Sequence, residues 1–347
     1  MPGGEIPQEL RDELRASWQR YVDLTAPLRP VLHGYCRRLT RDLWDAEDLV
    51  QETLVRAFAT LGSLGHPVAS PRSYLLRTAT NAWIDVLRHR EAESEALRGV
   101  AADPALQAAP APNASTPGSA ASMSSVRSVR EAGTTLLQRL SPRERAAVIL
   151  KDVFEMTLEE IADVLATTTG AVKTTLHRGR ERLRAAAAED PPVTQRPLPS
   201  VELVDRFVER FERRDLAGLL ALVTETAQVE NVGCGLEIAR AGEPTRFQFF
   251  VKAIEGHEEW PPEFRPDATR MERRLFEGEA IVLGFVTRGG KEAIEQVIRI
   301  EEREGRIARL RGYAFCPETM RALGEALGVR VRTGLYRYPT PAPGKFY

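Results

Sequence analysis

The sequence has few cysteines and no long apolar run. Its 347 residues include three cysteines, Cys36, Cys234 and Cys316, which lie far apart. An odd number of widely spaced cysteines is not a disulfide framework, so we expect reduced thiols and a cytoplasmic protein. No stretch of about 18 apolar residues occurs that could span a membrane. The acidic, polar N-terminus also lacks the apolar core of a signal peptide.

Motifs for metal or catalytic chemistry are equally scarce. Cys36 lies three residues after His33, but no second Cys/His pair completes a tetrahedral zinc site. The sequence contains no phosphate-cradling glycine loop, no G-x-S-x-G and no H-E-x-x-H. It therefore predicts no metal site, no cofactor and no catalytic residue placed by a motif.

The net charge of the chain is small, but its charged residues are unevenly distributed. The chain carries 48 basic and 49 acidic residues, a formal net charge of −1. Residues 170–184, GAVKTTLHRGRERLR, nevertheless carry a local charge of +4. A dense run of one sign indicates a polyanionic partner or a solvated helix face, and the neighbouring sequence has to decide between them.

Two segments of low complexity divide the chain. Residues 101–125 are almost wholly Ala, Pro, Ser, Gly and Thr, and residues 189–200 are rich in proline. Such segments cannot bury a core and are typical of tethers. The predicted organisation is a first helical block at 10–92, a flexible linker at 93–132, a second helical block at 133–187, a third domain at 198–330 and a proline-rich tail at 331–347.

The first helical block contains an acidic amphipathic helix, DLWDAEDLVQETLVRAFATL, at 42–61. Asp45 is placed to cap it. Apolar residues then recur at helical spacing: Val50, Leu54, Ala57, Phe58 and Leu61. Residues 42–52 hold five acids and no base. These acids either complement the helix dipole or form an acidic docking face, and both interpretations remain open.

A second helix of this block starts at SPRSYLLRTATNAWIDVLRHR, 70–90. Ser70 is the expected N-cap, with Pro71 at the first helical position. Its predicted buried stripe is Leu76, Ala79, Trp83 and Val86. We expect Trp83 to be a core residue rather than a base-stacking one. Polar side chains lie off this stripe, at Arg72, Arg77, Asn81, Asp85 and Arg88.

The second helical block has the sequence pattern of a helix-turn-helix. SPRE at 141–144 and TLEE at 157–160 are capping boxes, and the helix after Thr157 should bury Leu158, Ile161, Val164 and Leu165. The basic segment follows after a short turn and keeps its own stripe at Val172, Leu176, Gly179 and Leu183. Two short helices with a basic second helix favour DNA binding. The residues off the second stripe are Lys173, Thr174, Thr175, His177, Arg178 and Arg180.

Together the two helical blocks resemble the extracytoplasmic-function (ECF) sigma factors of bacterial RNA polymerase. The first resembles sigma region 2, through DAEDLVQETLVRAF and PRSYLLRTATNAWIDVLRHR, and the second resembles region 4, through LSPRERAAVILKDVFEMTLEEIADVLATTTGAVKTTLHRGRERLR. The resemblance covers about 130 residues. It implies an all-α region 2 and region 4, no enzymatic activity, and two partners: promoter DNA and core RNA polymerase, contacted at its clamp and flap.

The resemblance also implies a role for each polar set. Polymerase-binding residues would be Asp45, Asp48, Gln51 and Glu52. Residues engaging and opening the −10 element would be Arg77, Asn81, Asp85 and Arg88, with the loop at 62–70 capturing an unstacked base. Residues reading the −35 element would be Lys173, Thr174, Thr175, His177, Arg178 and Arg180. Three threonines at 167–169 precede this last set and leave the start of its helix open.

The third domain has an α+β pattern. Residues 201–223 carry an apolar stripe at Val204, Phe207, Val208 and Phe211. Strand-like runs follow at 280–286, 292–302 and 306–315, with TRGGK and REG as hairpin turns between them. Residues 316–328 predict a short helix. Helices on a curved antiparallel sheet would form a cone.

This pattern resembles the SnoaL-like superfamily, which includes enzymes, ligand binders and inert modules. Ligand binders in this superfamily make a small-molecule ligand in the cone one expected partner. Candidates for catalysis at the mouth of the cone are His257, Glu258 and Asp267, but no motif places a charged pair there. Because fold does not fix function, we favour a regulatory or interaction role over catalysis.

Three functions are compatible with the sequence. The leading hypothesis is an ECF-type sigma factor whose cone modulates its activity in cis. The alternatives are an ordinary helix-turn-helix regulator with a ligand-binding cone, and a SnoaL-like enzyme with a DNA-binding appendage. The first helical block separates them, because an ordinary regulator needs no polymerase-docking block.

Overall fold

The computed structural model describes residues 8–62, 68–101, 140–185, 197–233, 235–238 and 267–333. The chain divides into two compact units, Met1–Val193 and Thr194–Tyr347. In the described part of the chain, no helix is both long enough and apolar enough to cross a membrane.

The described part of the first unit is helical. After α1 comes a single 3-10 turn, Ala26–Leu28. The α-helices are α1 Gln8–Thr25, α2 Arg29–Thr40, α3 Leu43–Leu61, α4 Pro71–Ala101, α5 Pro142–Asp152, α6 Leu158–Val164 and α7 Thr169–Ala185. Helix α4 continues past the predicted linker start at 93, and residues 102–139 lie outside the described residues.

One apolar core runs through both helical blocks. Helices α2, α3 and α4 pack on one another, as do α5, α6 and α7, and α4 also contacts α5 and α6. Tyr35 and Trp83 from the first block and Ile149 and Ile161 from the second belong to the same buried cluster. The prediction that Trp83 is a core residue is confirmed, since it is 3% exposed.

The cap of α3 differs from the prediction. Asp42, not Asp45, is the N-cap: its backbone is extended, and its Oδ1 accepts hydrogen bonds from the backbone N–H groups of Trp44 and Asp45, both at 2.8 Å. Asp45 therefore lies inside the first turn. Both residues are aspartates near the start of the helix, and only the backbone conformation determines which one caps it.

Two residues that were predicted to be buried in the apolar stripes are exposed. Phe58 is 37% exposed and packs at the edge of the core on Trp18 and Tyr21 of α1. Val86 is 42% exposed, whereas Ala82 and Trp83 of the same helix are buried. Helical spacing identifies a face but not the point at which the neighbouring helix ends.

The predicted caps of the other helices are confirmed. Ser70 Oγ accepts a hydrogen bond from the Ser73 N–H at 3.3 Å. Ser141 and Thr157 each form both hydrogen bonds of a capping box, with Glu144 and Glu160. These local bonds start α5 and α6 where the sequence predicts.

The second unit is α+β. Its helices are α8 Val201–Glu212, α9 Leu216–Leu222 and α10 Pro317–Leu327, and its strands are β1 Val223–Asn231, β2 Gly235–Ile238, β3 Ala268–Phe276, β4 Glu279–Arg288, β5 Lys291–Arg303 and β6 Arg306–Gly312. The strands form a six-stranded sheet in the order β2-β1-β6-β5-β4-β3. Helices α8 and α9 pack on one face, while α10 packs against β5.

The sheet is mixed, which corrects the antiparallel prediction. Strands β3 to β6 form an antiparallel meander, but β1 pairs parallel with β6. No hairpin joins β1 to β6, so no turn motif constrains their relative direction. The two predicted hairpin turns are present, and Gly289, Gly290 and Gly305 have the positive φ angles that such turns require.

Candidate DNA and polymerase interfaces

Helices α6 and α7 form the helix-turn-helix. Val172, Leu176 and Gly179 of α7 are buried. A Cβ on Gly179 would lie 3.2 Å from Val148 Cγ2 of α5 and 3.4 Å from the Cβ of Glu144. Glycine therefore allows α7 to lie close against α5, and the opposite side of α7 faces outward.

The start of α7 resolves the register left open by the three threonines. The helix begins at Thr169, and the Thr168 hydroxyl accepts a hydrogen bond from the Ala171 N–H at 3.2 Å. Thr174 and Thr175 donate to backbone carbonyls one turn earlier, at 3.2 and 2.8 Å. The side chains of Lys173, Thr174, His177 and Arg178 are exposed.

The basic residues of α7 fall into two groups. Arg180 pairs with Asp152 at the end of α5, and Arg182 pairs with Glu144 at 2.7 Å. Lys173, Arg178 and Arg184 have no hydrogen-bond or ion-pair partner within the described residues. Of these three, Lys173 and Arg178 belong to the set predicted to read DNA, and their side chains are available for a phosphate or a base edge.

The acidic helix α3 contains one buried acid. Glu47 is fully buried: one carboxylate oxygen lies 2.7 Å from Arg29 Nη2 and 2.6 Å from Gln51 Nε2. It thus joins α2 to α3 and orients Gln51. Asp42 is the cap of the helix, and the residues predicted to bind polymerase are Asp45, Asp48, Gln51 and Glu52. Asp45 Oδ2 lies 3.4 Å from Arg90 Nη2, and Glu52 Oε1 lies 2.6 Å from Arg56 Nε.

The predicted −10 residues on α4 are not all in the same environment. Asn81 and Arg88 are exposed, and Asp85 lies 3.5 Å from Arg56. Arg77 instead reaches α6, where its Nη1 lies 3.5 Å from Asp163 Oδ1. Residues 63–67, most of the loop predicted to capture a base, lie outside the described residues.

A further arginine joins the second block to α4 and α2. The guanidinium carbon of Arg145 lies 5.0 Å from the ring centroid of Trp83, and its Nη1 donates to the Leu39 carbonyl at 3.0 Å. Burial, and then the charge of Arg41, lower the pKa of Arg145 to about 10. Tyr35 and Phe154 add an edge-to-face ring contact across the same boundary.

Both helical blocks match models of known protein families. The Sigma-70 region 2 model matches residues 24–93, and the Sigma-70, region 4 model matches residues 131–183. RNA polymerase sigma factor CarQ of Myxococcus xanthus is 33% identical over 170 residues, which are 49% of this chain and 90% of CarQ. The chain belongs to the ECF group of RNA polymerase sigma factors.

Another sigma factor matches over a larger share of the chain. ECF RNA polymerase sigma factor SigG of Mycobacterium tuberculosis is 35% identical over 237 residues, 63% of this chain. The match spans 62% of SigG's length. The crystal structure of SigJ from the same organism aligns with 86% of this chain at 19% identity, with a TM-score of 0.30. The family assignment therefore rests on the sequence matches.

Several contacts of this sigma factor were not predicted from its sequence. Asp152 and Asp163 are ordinary surface acids in the sequence, and only the fold brings them to Arg180 and Arg77. Glu47 did carry a signal: it lies three and seven residues before Val50 and Leu54, on the buried stripe. An acid at a buried position predicts a buried cationic partner.

Of the three candidate residues at the mouth of the third domain, the structure describes one. Asp267 is exposed beside the β4–β5 hairpin, where its Oδ2 accepts a hydrogen bond from the Gly290 N–H at 3.4 Å. His257 and Glu258 lie outside the described residues, as does most of the predicted tail.

Proposed function

We propose that this sigma factor binds core RNA polymerase and directs promoter recognition and melting at the start of transcription. The observation that carries the proposal is the exposed, unpaired Lys173 and Arg178 on a helix whose register is fixed by Thr168. That helix shares one compact unit with the acidic helix α3. Transcription in vitro with core polymerase, followed by sequencing of the start sites, tests the proposal. A helix-turn-helix regulator that does not associate with core polymerase would produce no specific start sites.

The roles follow the chemistry of each surface. Asp45, Asp48, Gln51 and Glu52 would bind a basic surface of the polymerase clamp, with Glu47 holding Gln51 in place, and the second block would contact the flap. Lys173 to Arg180 would read the −35 element in the major groove, Lys173 and Arg178 most directly. Arg77, Asn81, Asp85 and Arg88 would engage the −10 element. Unstacking a base there costs a few kcal/mol, which contacts with the flipped base must offset.

The packing of the two blocks bears on this activity. Arg77 is paired with Asp163 and Trp83 lies beneath Arg145, so the second block occupies part of the α4 surface that the −10 role requires. We propose that this arrangement is closed, and that the second block leaves α4 when promoter DNA binds. Promoter opening by variants of Arg77 and Asp163 tests whether the second block has to leave α4.

We further propose that the second unit is a SnoaL-like cone that modulates the sigma regions in cis rather than catalysing a reaction. Its support is a six-stranded sheet with α8 and α9 on one face. By strand alternation, Gln296, Gly284 and Gly312 share that face with the core residues Val282 and Ile298.

This patch has the features of a small-molecule site. Gln296 Oε1 is buried and has no hydrogen-bond partner within the described residues. A Cβ on Gly312 would lie 2.5 Å from Gln296 Nε2 and 3.0 Å from Asn231 Oδ1, so glycine at this position leaves the space that both amides occupy. A ligand with a hydrogen-bond donor for Gln296 would satisfy the buried oxygen.

Shortened proteins test the cis role. One ends at Val193, the last residue of the first unit, and the other ends at Gly328, after α10. If the second unit restrains the first, the protein ending at Val193 should transcribe more from its promoter at equal concentration. Equal activity and equal polymerase affinity of both shortened proteins and the full-length chain would contradict the proposal.

A further inference from the structure

The basic residues of α7 continue beyond the set predicted to read the −35 element. That set ends at Arg180, and Arg182 and Arg184 follow in the last turn of the helix. Arg182 Nη1 lies 2.7 Å from Glu144 Oε2 of α5. Arg184 is exposed and has no hydrogen-bond or ion-pair partner within the described residues.

A cation at this end of a helix has an ordinary explanation. The last carbonyl groups of a helix are partly negative, so an exposed cation in the last turn complements the helix dipole. That explanation applies equally to every direction around the helix axis. The direction in which Arg184 leaves the helix is therefore the feature that points to a partner.

Arg184 lies on the face of α7 that is predicted to read DNA. Each residue of an α-helix turns by about 100° around the axis. Measured from the buried Val172, the exposed members of the predicted set lie between Lys173 at about 100° and Arg178 at about 240°. Arg184 lies within that sector, at about 120°. Arg182 lies outside it, at about 280°, on the side that pairs with α5.

The length of α7 brings Arg184 to the edge of a major groove. Arg184 follows Lys173 by eleven positions, which is about 16 Å along the helix axis at a rise of about 1.5 Å per residue. The major groove is about 12 Å wide and about 8.5 Å deep. A helix that holds Lys173 at the base edges therefore carries Arg184 out to the phosphates that line the groove. Homeodomains use the C-terminal end of their recognition helix for such a backbone contact.

We propose that Arg184 binds a backbone phosphate beside the −35 element and so positions α7 in the groove. Arginine suits this role because its planar guanidinium can donate two hydrogen bonds to one phosphate. The contact adds affinity but no sequence information, because every nucleotide presents the same phosphate. This role rests on the proposed reading of the −35 element by α7.

One acid lies on the same face of the helix. Glu181 lies at about 180° in the same measure, and its Oε1 lies 3.3 Å from His177 Nε2. The Glu181 carboxylate opposes the approach of a phosphate. Arg184, three residues later, offsets that charge at the end of the helix where the DNA backbone passes.

The test measures binding of the full-length protein to two labelled duplexes by fluorescence anisotropy over a range of salt concentrations. One duplex carries the −35 element found by start-site sequencing, and the other carries a scrambled sequence. Arg184→Ala should weaken binding to both duplexes by the same factor. It should also lower the slope of log K against log salt concentration by about 0.9, the value for one lost phosphate contact. Arg184→Lys keeps the charge and should retain the slope.

Two other arginines of α7 are matched controls. Arg182→Ala removes the same charge from the side that pairs with Glu144, and its slope should stay close to that of the wild type. Arg178→Ala should reduce the preference for the −35 duplex over the scrambled one if Arg178 contacts a base. Arg184→Ala should leave that preference unchanged.

The outcomes separate the phosphate contact from the proposed function. Equal wild-type binding to the two duplexes would contradict sequence reading by α7, while the slope of Arg184→Ala would still report a phosphate contact. An unchanged slope for Arg184→Ala, or a slope lowered equally by Arg182→Ala, would overturn the role of Arg184. Absence of salt-dependent binding to either duplex would overturn both.

Discussion

Arg77 of α4 and Asp163 of α6 form an ion pair between the two helical blocks, with 3.5 Å between Nη1 and Oδ1. Arg77 belongs to the set expected to engage the −10 element, and Asp163 lies on the first helix of the helix-turn-helix. Both side chains are partly exposed, so the pair itself contributes little to stability. The position of the pair matters more, because it engages a side chain that the proposed contact with the −10 element requires.

The first prediction concerns this pair. Asp163→Ala should increase promoter opening by the polymerase holoenzyme, because it releases Arg77, whereas Arg77→Ala should decrease it. The coupling between the two changes in the free energy of unfolding should be only about 0.2–1 kcal/mol. Permanganate footprinting of the −10 region measures opening, and Glu159→Ala, an exposed acid on the same helix, is the control. Equal opening by Asp163→Ala and Glu159→Ala would remove the pair from promoter opening.

The second prediction separates the free from the paired cations of α7. Arg178→Ala should weaken binding to −35 duplex DNA by about 1–3 kcal/mol if Arg178 contacts a base, and should leave polymerase association intact. Arg180→Ala should weaken DNA binding less than Arg178→Ala, because Asp152 already pairs with Arg180, and it should cost at most about 1 kcal/mol of stability, because both side chains are partly exposed. Fluorescence anisotropy with labelled duplex measures binding. Undiminished binding by Arg178→Ala would contradict the proposed register of α7 in the groove.

The third prediction concerns polymerase docking. Asp48→Lys with Glu52→Lys should weaken association with core polymerase by about tenfold or more, because complementary charge becomes like charge. Folding should survive, since neither side chain is buried. Glu225→Lys with Glu301→Lys makes the same charge change at exposed positions of the second unit. If a pull-down recovers equal polymerase with both double variants, α3 does not dock through these acids.

The fourth prediction concerns Glu47. Glu47→Gln should lower the free energy of unfolding of the first unit by about 3 kcal/mol, because it leaves Arg29 buried without its counter-charge. Glu52→Gln should cost at most about 0.5 kcal/mol, because its pair with Arg56 is exposed. Urea unfolding followed by tryptophan fluorescence compares the two. Similar losses in both variants would mean that Glu47 contributes no more than a surface acid.

Some expectations from the sequence were wrong for local reasons. Asp45 was expected to cap α3, but Asp42 caps it, because Asp42 has the extended backbone of an N-cap and Asp45 lies within the first turn. Phe58 and Val86 have the right spacing for burial but lie where the neighbouring helices no longer cover them. The antiparallel sheet was an extrapolation from two hairpin turns, and it failed at β1 and β6, which no turn connects.

The sequence by itself determined the features that depend on neighbouring residues. Capping boxes at Ser141 and Thr157, the stripe of α7 and the hairpin turns at Gly289 and Gly305 need only a few adjacent residues to form, so their pattern is sufficient. The tertiary structure alone decided which charges remain available. Arg180 and Arg178 look alike in the sequence, but Asp152 pairs with one and not the other. Arg145 donates a hydrogen bond to the carbonyl of Leu39, 106 residues earlier in the chain, because α2 and α5 share a core. Contacts between distant residues follow from packing, which no local pattern encodes.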